Sequence, residues 1–314
     1  MKILVTGGSG YKGSVLIPKL LKFGHNVTSF DTNWFGDYLQ VSNSLTKLKG
    51  DIRDLKDLSL KGFDTIIHLA NVANDPAVEL NPTMSWEINV LAGHQLIEKA
   101  IKENVRHFIF ASSGSVYGIK QEEKVTEDLP LVPISTYNKT KMIAERVFIS
   151  YSNKIKFHSI RPATVCGLSP RMRLDVAVNL LTFQALTKGK ITVLGGTQVR
   201  PNIHIDDICD VYLHLISNYQ HIDSGFYNAG FENISILDIA KKIQSKVNCK
   251  IEVKDSNDPR SYRQDSSKLL KTGFIPKKNV SIAIDEIIQS YNSGQLSDKS
   301  QWHTVKWMKE NDIK

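Results

Sequence analysis

Apolar positions in the first half of the chain follow two alternating patterns. Short strand-like runs occur at "KILVTG" (2–7), "NVTSFD" (26–31), "KLKGD" (47–51), "TIIHLA" (65–70), "HFIFASS" (107–113) and "FHSIRPA" (157–163). Between several of them the spacing becomes helical, most clearly in "INVLAGHQLIEKAIKENV" (88–105) and "TYNKTKMIAERVFISYSN" (136–153). Runs that are continuous rather than alternating suit strands covered on both faces. Strands separated by helices predict a parallel sheet. Beyond about residue 165 the pattern loosens. A loop with "GLSPRMRLD" (167–175) leads to a helix over 176–187, the strand "ITVLGG", a helix from "HIDDICDVYLHLI", the strand "GFYNAG" and a helix from "ISILDIAKKIQSKV". "CKIEVKD", two short helical stretches and a polar tail follow. The expected architecture is α/β: a Rossmann-like, doubly wound parallel sheet over 1–165, completed by parts of 191–232. A smaller C-terminal α/β lobe takes 166–190 and 233–314. Ligands of such sheets bind at the strands' carboxyl ends, near the switch in strand order.

Composition narrows the class without naming a reaction. The 314 residues are 41% hydrophobic and 23% charged, ordinary for a globular protein with ample core. No run approaches the roughly 18 apolar residues of a membrane span. "MKILVTGG" enters a strand directly, without the features of a signal peptide. Cys166, Cys209 and Cys249 are few, scattered and odd in number, which fits a reducing cytoplasm. The formal charge of +8 comes without a dense basic run, so no nucleic-acid partner is expected; an anionic small molecule stays compatible. Nine His and three Cys show no metal-ligand spacing, and no metal is expected.

The first candidate chemistry lies in "VTGGSGYKGSVLIPKLLKFG" (5–24), a strand, a glycine turn and a helix. Gly7, Gly10 and Gly13 would permit a tight turn, close approach to a pyrophosphate and close helix–strand packing. The order is not that of a Walker A loop. The second strand ends in Asp31, roughly 20 residues on, where a carboxylate would bind the adenosine ribose. Thr32, Asn33 and Trp34 follow it with no cation, which favours NAD over NADP. The second candidate, "ASSGSVYG" (111–118), follows the run "HFIF". Its hydroxyls, Ser113 and Ser115, fit either a strand-ending turn or the rim of a reaction centre. The third is Tyr137 and Lys141, four residues apart and so on one helix face. An ammonium beside a phenol would favour phenolate, a base near neutral pH.

The glycine turn, Asp31, "GDIRD" (50–54), "HLAN" (68–71), Asn89, the serine loop and "YNKTK" (137–141) occur in an order and at spacings that resemble the extended short-chain dehydrogenase/reductase family. More narrowly, the chain resembles its nucleotide-sugar epimerases, dehydratases and dehydrogenases, down to "SYRQDSSKLLKTGF" (261–274). The resemblance implies NAD as cofactor. Gly7, Gly10 and Gly13, with the backbone at Tyr11 and Lys12, would hold the pyrophosphate. Asp31 would take the ribose, Asp51 and Ile52 flank the adenine, and Leu69, Ala70 and Asn71 line the groove. Asn89 would support the active-site strand beside the cofactor. Ser113, Tyr137 and Lys141 would form the catalytic triad, and "RPATVCG" (161–167) would lie along the nicotinamide. A homodimer through the two helices quoted above is implied as well.

The resemblance also frames the reaction. The shared first step is oxidation of a sugar hydroxyl, usually at C4, on a nucleotide-diphosphate sugar. Dehydratases of the family usually carry an Asp–Glu pair where this chain has Gly114 and Ser115, so elimination of water is disfavoured. Ser115 resembles the small hydroxyl residue of the 4-epimerases and would contact the sugar. Asn179, Arg200 and Arg260 match or suit substrate contacts, the arginines for the diphosphate. Net 4-epimerisation is expected first. A C4 dehydrogenase leaving a 4-keto sugar, for example an NDP-heptose for surface polysaccharide, is the alternative. Pro201 in place of the usual Asp, Thr164 in place of Asn and the wall "NVANDPAVELNP" (71–82) depart from the pattern. A non-catalytic dinucleotide-binding regulator ranks low because Ser113, Tyr137 and Lys141 are kept.

Overall fold

The computed structural model of the protein describes residues 1–255 and 261–313. The apolar runs become parallel strands: β1 Lys2–Thr6, β2 Asn26–Asp31, β3 Leu45–Lys49, β4 Thr65–His68, β5 His107–Ala111 and β6 Lys156–Pro162. β7 Thr164–Cys166, β8 Lys190–Leu194, β9 Val199–His204, β10 Gly225–Ala229, β11 Glu232–Ser235 and β12 Lys250–Lys254 follow. Seven strands build the main sheet in the order β10-β6-β5-β4-β1-β2-β3, every neighbouring pair parallel. β4 and β5 are buried along their whole length, as unbroken apolar runs require. The strand order reverses at β1, whose Val5 pairs with Ser29 on one side and Ile67 on the other. The crevice therefore opens past Thr6 and His68, where the glycine turn and Leu69–Asn71 begin.

β6 and β7 are separated by Ala163 alone, yet they belong to different sheets. The Ala163 N–H donates to Ala229 O of the main sheet at 2.8 Å, and from Thr164 the chain pairs with β9 in a three-stranded sheet, β11-β9-β7. β8 and β12 form a separate parallel pair. The helices Ala177–Lys188, Ile236–Gln244 and Val280–Asn292 bury Leu181, Ile239, Ile243 and Ile284 around Ile191 and Val193, a second core.

The C-terminal stretch, read from sequence as a polar tail, is an apolar anchor. Trp302 and Met308 are buried, and Trp307 donates its indole N–H to Trp34 O at 2.6 Å. The helix Thr304–Glu310 thus returns to the loop after β2. Its three apolar residues, Val305, Trp307 and Met308, are too few to show helical periodicity.

Candidate active site

The glycine turn is built by steric necessity. Gly7 has φ +74°, and a Cβ there would lie 2.5 Å from Ala70 N; at Gly13 it would lie 2.4 Å from Gly8 O. A side chain at either position would collide with that neighbouring backbone. The helix Gly13–Lys22 starts at the turn with no side-chain cap; Ser14 N donates back to Gly10 O at 3.0 Å and Val15 N to Lys12 O at 3.2 Å. Around this turn lies a cavity of about 600 Å³. Asp31, Asp51 and Ile52 line one end. Gly7, Gly10, Tyr11, Lys12, Gly13, Leu69, Ala70 and Asn71 line the middle, and Ser113, Ser115, Tyr137 and Lys141 the other end. The Asp31 carboxylate accepts from Ser9 N at 3.0 Å and Asn33 N at 2.8 Å, and burial raises its pKa. The Asn71 Oδ1 is buried with no hydrogen-bond partner among the described residues. A glycine cradle, a carboxylate at the end of the second strand and this unsatisfied acceptor on one groove fit a dinucleotide.

"ASSGSVYG" is a turn and a rim at once. After β5 the chain makes one 3-10 turn, Gly114–Tyr117, capped by Ser113 Oγ accepting from Ser115 N at 3.2 Å. The hydroxyls of Ser113 and Ser115 lie 2.7 Å apart on the cavity wall. Tyr117 points inward and is fully buried. Its hydroxyl donates to Asn228 Oδ1 at 2.8 Å and accepts from Arg161 Nη1 at 2.8 Å. Arg161 forms a buried ion pair with Glu145 of the helix Thr136–Ile149, with Nη2 to Oε2 at 2.8 Å. The serine turn and the helix bearing Tyr137 are thereby held by one network.

That helix begins at Ser135, whose Oγ accepts from Asn138 N at 3.2 Å. Burial pushes the Tyr137 phenol up to about 12; its hydrogen bond with Ser113 opposes this, Asp75 reinforces it, and Arg173 opposes it. Arg173 thus adds a cationic influence on the phenol that the spacing of Tyr137 and Lys141 does not show. Lys141 donates to Ala111 O at 2.7 Å, and burial, reinforced by Lys12, moves it well below its usual value.

Two expected contacts, Asn89 and Asn179, stand elsewhere. Asn89 does not line the cavity. It is buried on a π-helical turn, Glu87–Leu91, accepting from Val72 N at 2.8 Å and donating to Thr140 Oγ1 at 3.2 Å. Thr140 in turn donates to Tyr137 O at 2.7 Å, so Asn89 positions the catalytic helix from behind. Asn179 is likewise behind the wall, because backbone and hydroxyl groups consume its amide. It accepts from Gly167 N at 3.0 Å and donates to Arg173 O at 2.9 Å and Tyr11 Oη at 3.1 Å. Arg200 lines the cavity. Arg260 lies outside the described residues.

Arg171 and Arg173, whose role the sequence leaves open, and Asp75 also line the cavity. Arg173 pairs with Asp175, Nε to Oδ1 at 2.8 Å. Arg171 stacks 4.1 Å over the Phe35 ring and donates to Thr304 Oγ1 at 3.3 Å. Asp75 comes from the unfamiliar wall, which folds as two short helices, Asp75–Val78 and Pro82–Trp86. Each carries an Asn cap and an early Pro: Asn74 Oδ1 accepts from Ala77 N and Asn81 Oδ1 from Met84 N, both at 2.9 Å. The repeated Asn-cap and Pro pattern in "NDP" and "NP" was the available signal.

The fold and this cavity define a dinucleotide-dependent oxidoreductase-type centre, and the comparisons narrow it. The sequence profile of the NAD dependent epimerase/dehydratase family matches residues 3–230, and the chain belongs to that family. It is 29% identical to a UDP-glucose 4-epimerase of Lactobacillus helveticus, covering 92% of this chain and 95% of the relative. It is 33% identical to the uncharacterized UDP-glucose epimerase YtcB of Bacillus subtilis, covering 78% and 81%. Among solved structures, the UDP-glucuronic acid 4-epimerase from Bacillus cereus, in complex with UDP-glucuronic acid and NAD, superposes with a TM-score of 0.80 at 28% identity, covering 93% of this chain and all of that one. MoeE5 in complex with UDP-glucose and NAD shares the fold with a TM-score of 0.83 at 24% identity. The chain is an extended short-chain dehydrogenase/reductase that uses NAD.

Proposed function

We propose that the protein inverts C4 of a nucleotide-diphosphate sugar through a 4-keto species. The observation that carries this reading is the rim itself. A phenol hydrogen-bonded to Ser113, beside the Ser115 hydroxyl, lines a cavity whose serine turn holds no carboxyl group at 114 or 115. Tyr137 takes the proton from the C4 hydroxyl as the ketone forms and returns one when it is reduced. Ser113 hydrogen-bonds the same oxygen throughout, and Arg173 stabilises the phenolate form. The groove residues Gly7, Gly10, Gly13, Asp31 and Asn71 hold NAD, which when bound supplies the acceptor and donor of the C4 hydride. Arg200, on the cavity wall, would take the sugar's diphosphate.

C4 dehydrogenation to a free ketone uses the same residues and is the second reading. Relatives and solved neighbours named as 4-epimerases favour the first. Incubation with a panel of UDP- and other nucleotide sugars, read by mass and NMR, separates them. Unchanged mass with inverted C4 is expected. Loss of two hydrogens with accumulating reduced cofactor would make the protein a dehydrogenase, and loss of water would overturn both. Tyr137→Phe should keep NAD bound and lose at least about a hundredfold in turnover; near-normal turnover removes Tyr137 from the chemistry.

The protein is further proposed to be a cytoplasmic homodimer, pairing the helices Ala92–Lys102 and Thr136–Ile149 with their copies. Free, buried cysteines accord with the compartment, and Leu91, 56% exposed before the first helix, accords with the pairing. No helix among the described residues is long and apolar enough to cross a membrane.

A further inference from the structure

Arg171 lines the cavity, and the reaction above leaves it unused. It is buried, 3% exposed, and among the described residues no carboxylate pairs with it; Asp175 is taken by Arg173. Neutral oxygens meet two of its nitrogens: Nη1 donates to Met172 O at 3.2 Å and Nη2 to Thr304 Oγ1 at 3.3 Å. Nε is buried and donates to no group among the described residues. The guanidinium carbon lies 4.1 Å from the centre of the Phe35 ring. A buried cation with a spare donor and no protein anion is costly, and that cost is offset where a ligand supplies the negative charge.

Contacts at both ends of the residue fix its place along the groove. At the near end, Arg171 N donates to Ser14 Oγ at 3.4 Å, and Ser14 Oγ donates to Gly10 O at 2.9 Å, in the first turn of the helix that leaves the glycine turn. Ser169 Oγ donates to Tyr11 O at 2.8 Å and the Tyr11 hydroxyl to Gly167 O at 2.7 Å, so the loop over 167–171 is bonded along that same turn. At the far end the guanidinium reaches Phe35, in the loop that follows β2 and Asp31. Asp31 itself accepts from Ser9 N and Asn33 N. The side chain therefore spans from the glycine turn to the adenosine end. Of the parts of a dinucleotide laid along this groove, the pyrophosphate is the one that carries negative charge.

We propose that Arg171 is a pyrophosphate-binding residue, its guanidinium adding a full charge and a directed N–H donor to the backbone groups of the glycine turn. This rests on the reading that the glycine turn holds the pyrophosphate of NAD, and it is independent of which sugar reaction follows.

Titrations of NAD, ADP-ribose and adenosine without sugar, on the full chain and on Arg171→Met and Arg171→Gln, test it. ADP-ribose keeps the pyrophosphate and lacks the nicotinamide, and adenosine lacks both. NAD and ADP-ribose should each bind about tenfold or more weakly in both variants, the order of one charge-assisted hydrogen bond, while adenosine changes less than about twofold. Equal weakening of all three would show that Arg171 only braces the adenosine end, and unchanged NAD affinity in either folded variant would equally overturn the proposal. The methionine keeps an apolar stem for Phe35 and the glutamine keeps a donor for Thr304, so loss of fold in one, read by circular dichroism, leaves the other to decide. If the unaltered protein held ADP-ribose no better than adenosine, the glycine turn would hold no pyrophosphate, and the underlying reading would fail before the role of Arg171 was reached.

Discussion

Arg173 and Asp175 sit two residues apart in a loop rich in basic residues, and they pair on the wall of the cavity that holds Tyr137. Burial alone would raise the Asp175 carboxyl, but the Arg173 charge and hydrogen bond overcome it and hold the group at about 2, below the ordinary 3.8. A value lowered by folding stabilises the protein above the unfolded pKa and loses that contribution as pH falls toward the folded one. Between pH 5 and pH 3, urea unfolding of the protein should therefore lose about 1 kcal/mol that Asp175→Asn does not lose. Equal losses in the two would mean that the pair contributes nothing. Lys141 illustrates the opposite lesson. Its spacing from Tyr137 places both on one helix face, and both line the cavity, with its ammonium donating to Ala111 O.

At the scale of elements, the helix Thr304–Glu310 is the part whose function was least visible. Thr304 and Met308 line the cavity, Arg171 bonds Thr304, and Trp307 bonds Trp34 beside the adenosine end. Removal of residues 300–314 should leave the main sheet folded, because its seven strands lie outside the segment. It should weaken NAD binding about tenfold, the order of one or two lost contacts at the groove. Circular dichroism and a cofactor titration check both halves, and unchanged affinity would reduce the helix to a surface anchor. The helix Thr136–Ile149, by contrast, was legible over most of its length, although the helical pattern runs on to Asn153, four residues past its end. Its Ser cap, its apolar stripe and Glu145 are all in "STYNKTKMIAERVFI", though the partner of Glu145, Arg161, was not.

Across the whole molecule, the two cores are separate while the chain that builds them is interleaved. β10 closes the main sheet from residues 225–229, after the chain has already contributed β7, β8 and β9 to the smaller sheets. The single residue between β6 and β7 places Pro162, Ala163 and Thr164 on the cavity wall, so the site lies where the chain changes sheets. A dimer through the helices Ala92–Lys102 and Thr136–Ile149 would brace the far side of the same site, since the second of them carries Tyr137. Light scattering should give twice the 35.3 kDa chain mass, and Leu91→Glu should shift it toward the monomer; a monomeric mass for the unaltered protein rules the pairing out.

Much of this was determined locally. Unbroken apolar runs specify buried parallel strands, Gly7 and Gly13 specify a turn with no room for a Cβ, and Asp31 ends the second strand on the groove. Each of these depends on backbone geometry and near neighbours, which the order of residues encodes. What the tertiary structure alone decided is which distant groups share a low-dielectric cavity: Arg173 and Asp75 with Tyr137, Lys12 with Lys141, Thr304 with Arg171. It also withdrew Asn89 and Asn179 from the cavity wall by giving their amides backbone and hydroxyl partners. Charge interactions act through space and strengthen where water is excluded, so spacing along the chain carries no record of them.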